Sequence, residues 1–196
     1  MFPLYTVARV NVDKENMAGV AQLLDALDDY HLTGKVKLYL APVDNINQTC
    51  DESCCFTGSE FAKEQILFYR EYCNREYLGK VIPESALQSC GAVAVSSYLI
   101  DPLGDLYKCW DDIGNLKEKV GDIFTGTESG RIDPKLLQWL QYDAIDCDEC
   151  KNCPVLPVCM GGCANYYFKT GKHKCHPIKY NLEEVVKIKR DLKDRV

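Results

Sequence analysis

The chain has 196 residues, of which 46% are hydrophobic and 27% charged, and its formal net charge is −6. That length suits one large domain or two small ones, and the composition is that of a folded protein rather than a disordered one. An acidic balance without a long basic run argues against a nucleic-acid partner, which needs a basic face. No apolar stretch approaches the roughly 20 residues of a membrane-spanning helix, and the first residues have no signal-peptide layout. The expected setting is the cytoplasm, with no membrane partner.

Thr6 to Val12 reads as a strand, with Val7, Val10 and Val12 among its apolar residues. Val20, Leu23, Leu24 and Leu27 recur at helical spacing and predict an amphipathic helix over about residues 16–30. Val36 to Val43 is nearly all apolar, as a strand covered on both faces tends to be. Strand, helix and strand in this order predict a βαβ unit with parallel strands. Asn45 to Thr57 is a polar loop holding Cys50, Cys54 and Cys55, and Ser59 is the expected N-cap of a helix running to about Asn74. A third strand is expected around Lys80 to Pro83. Two parallel strands do not make a closed core alone, so the front part reads as a fragment of a larger α/β sheet.

Beyond Cys90 the texture changes. Val93 to Leu99 and Leu106 to Trp110 predict two short strands around the turn Asp101-Pro102-Leu103-Gly104. Pro134 opens a short helix to about Tyr142. Asp146 to Cys163 is cysteine-rich with little periodicity, the kind of segment a metal holds where a core does not. Leu182, Val185, Val186 and Leu192 predict a final amphipathic helix whose Lys and Arg residues form a solvated face. The domain boundary is placed between residues 82 and 83.

The 12 cysteines carry the chemistry, and seven of them lie between residues 109 and 175. In a reducing compartment such a cluster points to a metal site rather than to disulfides. The elements are Cys90-x13-Gly104-x4-Cys109, then Cys150-x2-Cys153-x5-Cys159-x3-Cys163, then Cys175. Thiolates at these spacings suit iron–sulfur clusters or zinc, and Gly161 and Gly162 permit close backbone approach. The simpler alternative is a zinc-stabilised, non-enzymatic binding module in which Cys150, Cys153, Cys159 and Cys163 hold one ion. A single zinc would leave Cys90, Gly104 and Cys175 unused, which favours iron–sulfur.

This spacing resembles the SPASM domain of radical S-adenosylmethionine (SAM) enzymes. The stretches ARVNVDKEN, KVKLYLAPV and Leu106-Tyr107-Lys108-Cys109-Trp110 are similar to those of peptide maturases in that superfamily, with the nearest feel that of thioether-forming enzymes. The resemblance implies an α/β partial-barrel fragment over 1–82, followed by an irregular α+β SPASM (twitch-like) iron–sulfur cluster-binding domain over 83–196. It implies two auxiliary [4Fe-4S] clusters: cluster I on Cys90, Cys109 and Cys163, with Cys147 a candidate fourth ligand, and cluster II on Cys150, Cys153, Cys159 and Cys175. An open fourth position on cluster I would let a substrate thiolate bind. It further implies a ribosomally made peptide or protein substrate and an electron donor such as flavodoxin or ferredoxin. In the intact enzyme it implies SAM bound near Arg9 and Asn11, and a third [4Fe-4S] cluster.

The catalytic motif C-x3-C-x2-C is absent: Cys50-x3-Cys54 begins that spacing, but Thr57 stands at its third position. In family order that motif precedes the first strand here. The chain therefore reads as the C-terminal part of a longer enzyme, inactive alone. Against these assignments stand plainer readings. Cys147 is as readily a free thiol, Cys50, Cys54 and Cys55 are more simply free thiols than ligands, and Cys73 is a core residue. Arg9 and Asn11 make an ordinary strand-end pair, and Trp110 either shields a cluster or is core. His31, His173 and His176 have no ligand spacing among themselves.

Overall fold

A computed structural model describes residues 6–46, 51–72, 74–77, 85–126 and 133–193. In chain order β1 (Thr6–Val12), α1 (Val20–Asp29), β2 (Val36–Pro42) and α2 (Gly58–Tyr72) come first. Three short strands follow, β3 (Leu99–Ile100), β4 (Asp105–Tyr107) and β5 (Gly121–Asp122). The rest is helical: α3 (Pro134–Leu140), α4 (Asp148–Lys151), α5 (Leu156–Cys159), α6 (Ala164–Thr170) and α7 (Ile178–Lys193). The chain divides into two compact units, Met1–Pro83 with Pro177–Val196, and Glu84–His176. Among the described residues no helix is long and apolar enough to cross a membrane.

In the first unit β1 and β2 pair in parallel, with Ala8 opposite Leu38 and Val10 opposite Leu40. Side chains alternate across a strand, so Val12, Leu38 and Leu40 are buried on one face while Val7, Arg9, Asn11 and Tyr39 are exposed on the other. The expectation that β2 is covered on both faces holds only in part, since on the second face Ala41 is buried and Tyr39 is exposed. Its apolar run includes Tyr39, an amphipathic side chain that tolerates water. Residues 17–19 form a 3-10 turn before α1, so the helix proper starts four residues later than its periodicity predicts. The Asp13 carboxylate accepts the N–H groups of Glu15 and Asn16 and shapes that entry.

α2 starts from a capping box. Thr57 Oγ1 accepts the Glu60 N–H at 3.2 Å, and Glu60 Oε2 accepts the Thr57 N–H at 2.8 Å. The cap is therefore Thr57 and not Ser59, because only Thr57 has a glutamate three residues on. α7 buries Ile178, Val185 and Ile188 and packs on α2. Asn181 breaks its helical geometry and donates from Nδ2 to the Ala62 carbonyl and to Gln65 Oε1. The sequence groups this helix with the second domain, whereas the structure returns it to the first unit. Its buried stripe packs on α2, within that unit. Tyr77 is fully buried, its carbonyl accepting the Leu38 N–H of β2 and its hydroxyl donating to Asp28 at 2.6 Å. The expected third strand, Cys50 and Cys73 lie outside the described residues.

In the second unit β4 lies between β3 and β5, antiparallel to both. The two strands expected here are cut short. Gly91–Val93 and Trp110–Asp112 are 3-10 turns, and only Leu99–Ile100 and Asp105–Tyr107 pair. The buried Lys108 ammonium donates to the carbonyls of Ala94 and Ser97 at 2.6 and 2.7 Å. It thereby takes acceptors that a longer ladder would use. The turn at Asp101 forms as expected, with the carboxylate accepting the Leu103 and Asp105 N–H groups. Asp133 caps α3 one residue before Pro134. Among the described residues two small cores result, one of Leu106, Val120 and Leu136, the other of Ala92, Trp139 and Ala164. Trp110 is 63% exposed and belongs to neither.

Candidate metal centre

No disulfide joins the ten cysteines among the described residues, and all but Cys54 and Cys55 lie in the second unit. A left-handed elbow organises them. After Cys159 ends α5, Met160, Gly161 and Gly162 take φ of +48°, +89° and +77°. Left-handed backbone costs an L-residue about 1–2 kcal/mol, and glycine avoids that cost. Space demands glycine as well. A Cβ on Gly161 would stand 2.6 Å from Ala144 Cβ, and one on Gly162 would stand 2.1 Å from the Lys174 carbonyl oxygen. The elbow thus lies against the loop that carries His173 and Cys175, and it delivers Cys163 to the start of α6.

Cys90, Cys109 and Cys163 each precede a helical turn. Cys90 Sγ accepts the Ala92 N–H, and Cys163 Sγ accepts the Tyr166 N–H, both at 3.5 Å. Ala92 and Ala164, beside these two cysteines, share one core cluster with Trp139, and Cys109 packs against it. Burial pushes the Cys109 thiol up to about 11, opposed by a hydrogen bond from the Asn165 side chain. Asn165 is itself held by the buried Asp112 at 3.1 Å, and Lys169 pairs with Asp112 at 3.0 Å.

Cys147 is the extended N-cap residue of α4, and Cys150 stands three residues on, within its single turn. Their sulfurs and a ring nitrogen of His173 lie within 4.8 Å of one another. Burial raises the Cys150 thiol, and Cys147, Cys159 and Cys175 raise it further, so these thiols share one neighbourhood. Cys153 follows on a tight turn, its N–H donating to the Cys150 carbonyl at 3.0 Å. Tyr142 is pushed up by burial and then by Cys150, Cys159 and Cys163. Its hydroxyl donates to the Gly161 carbonyl at 2.9 Å.

Sequence reasoning missed His173. Its signal was position: two residues before Cys175, opposite a second C-x2-C formed by Cys147 and Cys150. Cys147, expected beside cluster I, has Cys150 and His173 as its neighbours. Arg9 and Asn11 are exposed and hydrogen-bonded to each other at 3.0 Å. Cys54 donates to Glu15 at 3.1 Å, and that carboxylate raises its thiol, which disfavours the reactive thiolate.

No protein-family model matches the chain, and no curated protein matches it. Solved structures do. The mixed α/β fold with small sheets is similar to part of a radical SAM enzyme that carries a SPASM domain. That enzyme is anSMEcpe. Native anSMEcpe with bound AdoMet aligns at TM-score 0.56 and 13% identity, over 95% of this chain and 55% of that one. Native anSMEcpe with bound AdoMet and Kp18Cys peptide aligns at 0.52 and 13%, over 93% of this chain and 57% of that one. The chain therefore spans little more than half the length of that enzyme.

Proposed function

We propose that this chain is the auxiliary-cluster portion of a radical SAM enzyme that modifies a ribosomally made peptide or protein. The observation that carries the reading is the fold likeness over 95% of the chain, in a sequence that also has the seven-cysteine spacing. Under it Cys90, Cys109 and Cys163 hold one [4Fe-4S] cluster, and Cys150, Cys153, Cys159 and Cys175 hold a second. The residues present fit such groups. Soft thiols suit iron–sulfur, backbone N–H groups already point at the Cys90 and Cys163 sulfurs, and the Gly161–Gly162 elbow brings backbone close without side-chain bulk. Bound clusters would supply one-electron transfer or substrate ligation, and the protein sets their spacing and potential. Asn165, held by Asp112, which in turn pairs with Lys169, would donate to the Cys109 sulfur and thereby tune cluster I.

A peptide substrate accords with the peptides bound in the anSMEcpe structures. SAM binding near Arg9 and Asn11, a third cluster and a flavodoxin or ferredoxin donor belong to the intact enzyme in this reading. The test is iron and sulfide content. Anaerobic reconstitution of metal-free chain is expected to give about eight irons and eight sulfides per chain, and failure to take up iron would sink the reading. With no C-x3-C-x2-C in the sequence, the same preparation with SAM and dithionite is expected to form no 5′-deoxyadenosine above background.

A further inference from the structure

We propose that a cleft between α3, α6 and the acidic stretch from Asp143 to Glu149 binds an arginine- or lysine-bearing segment of the peptide substrate. The inference deepens the function proposed above, and it rests on that reading for the peptide's being a substrate. The cleft has a volume of about 830 Å³ and lies wholly within the second unit. Ligand sites usually measure about 300–1,000 Å³. Cys147 is part of the lining, so a peptide seated there passes beside the cysteine-rich segment.

Part of the lining is aromatic and is held in place by its own contacts. Tyr142, just past α3, meets Phe168 of α6 edge to face with ring centroids 5.7 Å apart, and Tyr167 stacks on His173 at 4.6 Å. The Tyr142 hydroxyl donates to the Gly161 carbonyl at 2.9 Å, and His173 Nδ1 stands 3.1 Å from the same oxygen. Rings fixed in this way need little further ordering when a ligand arrives. Tyr167 is 37% exposed, which leaves ring surface for a cation to approach.

The charged part of the lining is acidic: Asp143, Asp146, Asp148 and Glu149 stand against the single ammonium of Lys172. Among the described residues no ion pair engages Asp146, Asp148 or Glu149. Nor do these carboxylates converge as a metal ion requires, since among the described residues no three of them bring oxygens within 4.8 Å of one another. Charge spread along a cleft suits an extended cation instead. Each exposed carboxylate contributes little alone, and rings alone do not discriminate charged from neutral side chains well. Together they select a side chain with a cationic head and an apolar stem that packs on the rings. Guanidinium is favoured over ammonium, because it is planar, stacks on aromatic faces and pairs with a carboxylate through two N–H groups.

The experiment titrates the anaerobically reconstituted chain by calorimetry with the peptides Gly-Arg-Gly-Arg-Gly, Gly-Lys-Gly-Lys-Gly and Gly-Gln-Gly-Gln-Gly. The arginine peptide is expected to bind tighter than the lysine peptide, and both at least tenfold tighter than the glutamine peptide, with the advantage falling as salt rises. Asp146→Asn combined with Glu149→Gln should weaken the arginine peptide at least tenfold; both residues are exposed, so the fold is not at stake. Tyr167→Leu should erase the preference for arginine over lysine. Glu64→Gln combined with Glu71→Gln removes as much charge from the first unit and should leave binding unchanged. Equal losses from the two acidic pairs would reduce the effect to net charge and overturn the site. Iron uptake without any preference for the basic peptides overturns the inference and leaves the cluster reading standing. Basic-peptide binding by a chain that takes up no iron overturns the cluster reading, and with it the peptide's role as substrate.

Discussion

At the scale of single residues, two glycines separate the effects of backbone strain and space. Gly171 closes α6 at φ +70° with nothing within 4 Å of the place a Cβ would occupy, whereas Gly162 at φ +77° would drive a Cβ into the Lys174 carbonyl. Gly171→Ala is therefore expected to cost about 1–2 kcal/mol, the strain of a left-handed L-residue. Gly162→Ala adds the overlap and is expected to cost about 2–5 kcal/mol. It should also push the loop of His173 and Cys175 off the elbow. Equilibrium unfolding gives the energies, and metal content at saturation gives the second effect. Equal losses for the two variants, with metal uptake retained in both, would show that the elbow does not position the loop.

At the scale of elements, the start of α2 makes a pH prediction. Glu60 is lowered from 4.5 to about 2, first by the Thr57 N–H, then by the Thr57 side chain and by Lys14. A depressed folded-state pKa contributes stability that is present above pH 4.5 and is lost as pH falls towards 2. Glu60→Gln should flatten that part of the stability-against-pH profile, and Thr57→Ala should cost about 1 kcal/mol at neutral pH. A Glu60→Gln profile superimposable on the parent would remove the box from the account. The same element shows what is legible in a sequence. The helix is plain from Phe61, Ile66 and Phe68, yet its cap depends on pairing Thr57 with Glu60, and an adjacent Ser59 competes for that reading. The parallel pair β1–β2 and the turn at Asp101 were equally legible, because each is set by local pattern. The short strands of the second unit were not, because Lys108 reaches across to Ala94 and Ser97, and such contacts leave no periodic trace. The candidate site divides likewise. Cysteine spacing is written in the chain, whereas the approach of His173 to Cys147 and Cys150 depends on tertiary packing of its loop against the Gly161–Gly162 elbow.

At the scale of the whole molecule, the two units draw on different sources of stability. The first buries Leu24, Leu38, Phe61, Phe68 and Val185 and contains, among the described residues, the three helices of ten residues or more. Among its described residues the second has two small cores and helices of four to seven residues. Helices that short are marginal without tertiary support, and a bound metal contributes its binding energy to folding. Metal should therefore stabilise Glu84–His176 far more than the remainder. The chain carries its own reporters, since both tryptophans, Trp110 and Trp139, lie in that unit and Trp139 is 3% exposed. Far-UV circular dichroism is dominated instead by α1, α2 and α7. On metal removal the tryptophan transition in urea is expected to move to lower denaturant, while most of the helical signal keeps its midpoint. Reconstitution should move the tryptophan transition back. A tryptophan midpoint that is the same with and without metal would show that the second unit stands on its own cores, and one common shift of both signals would show that the two units unfold as a single cooperative body.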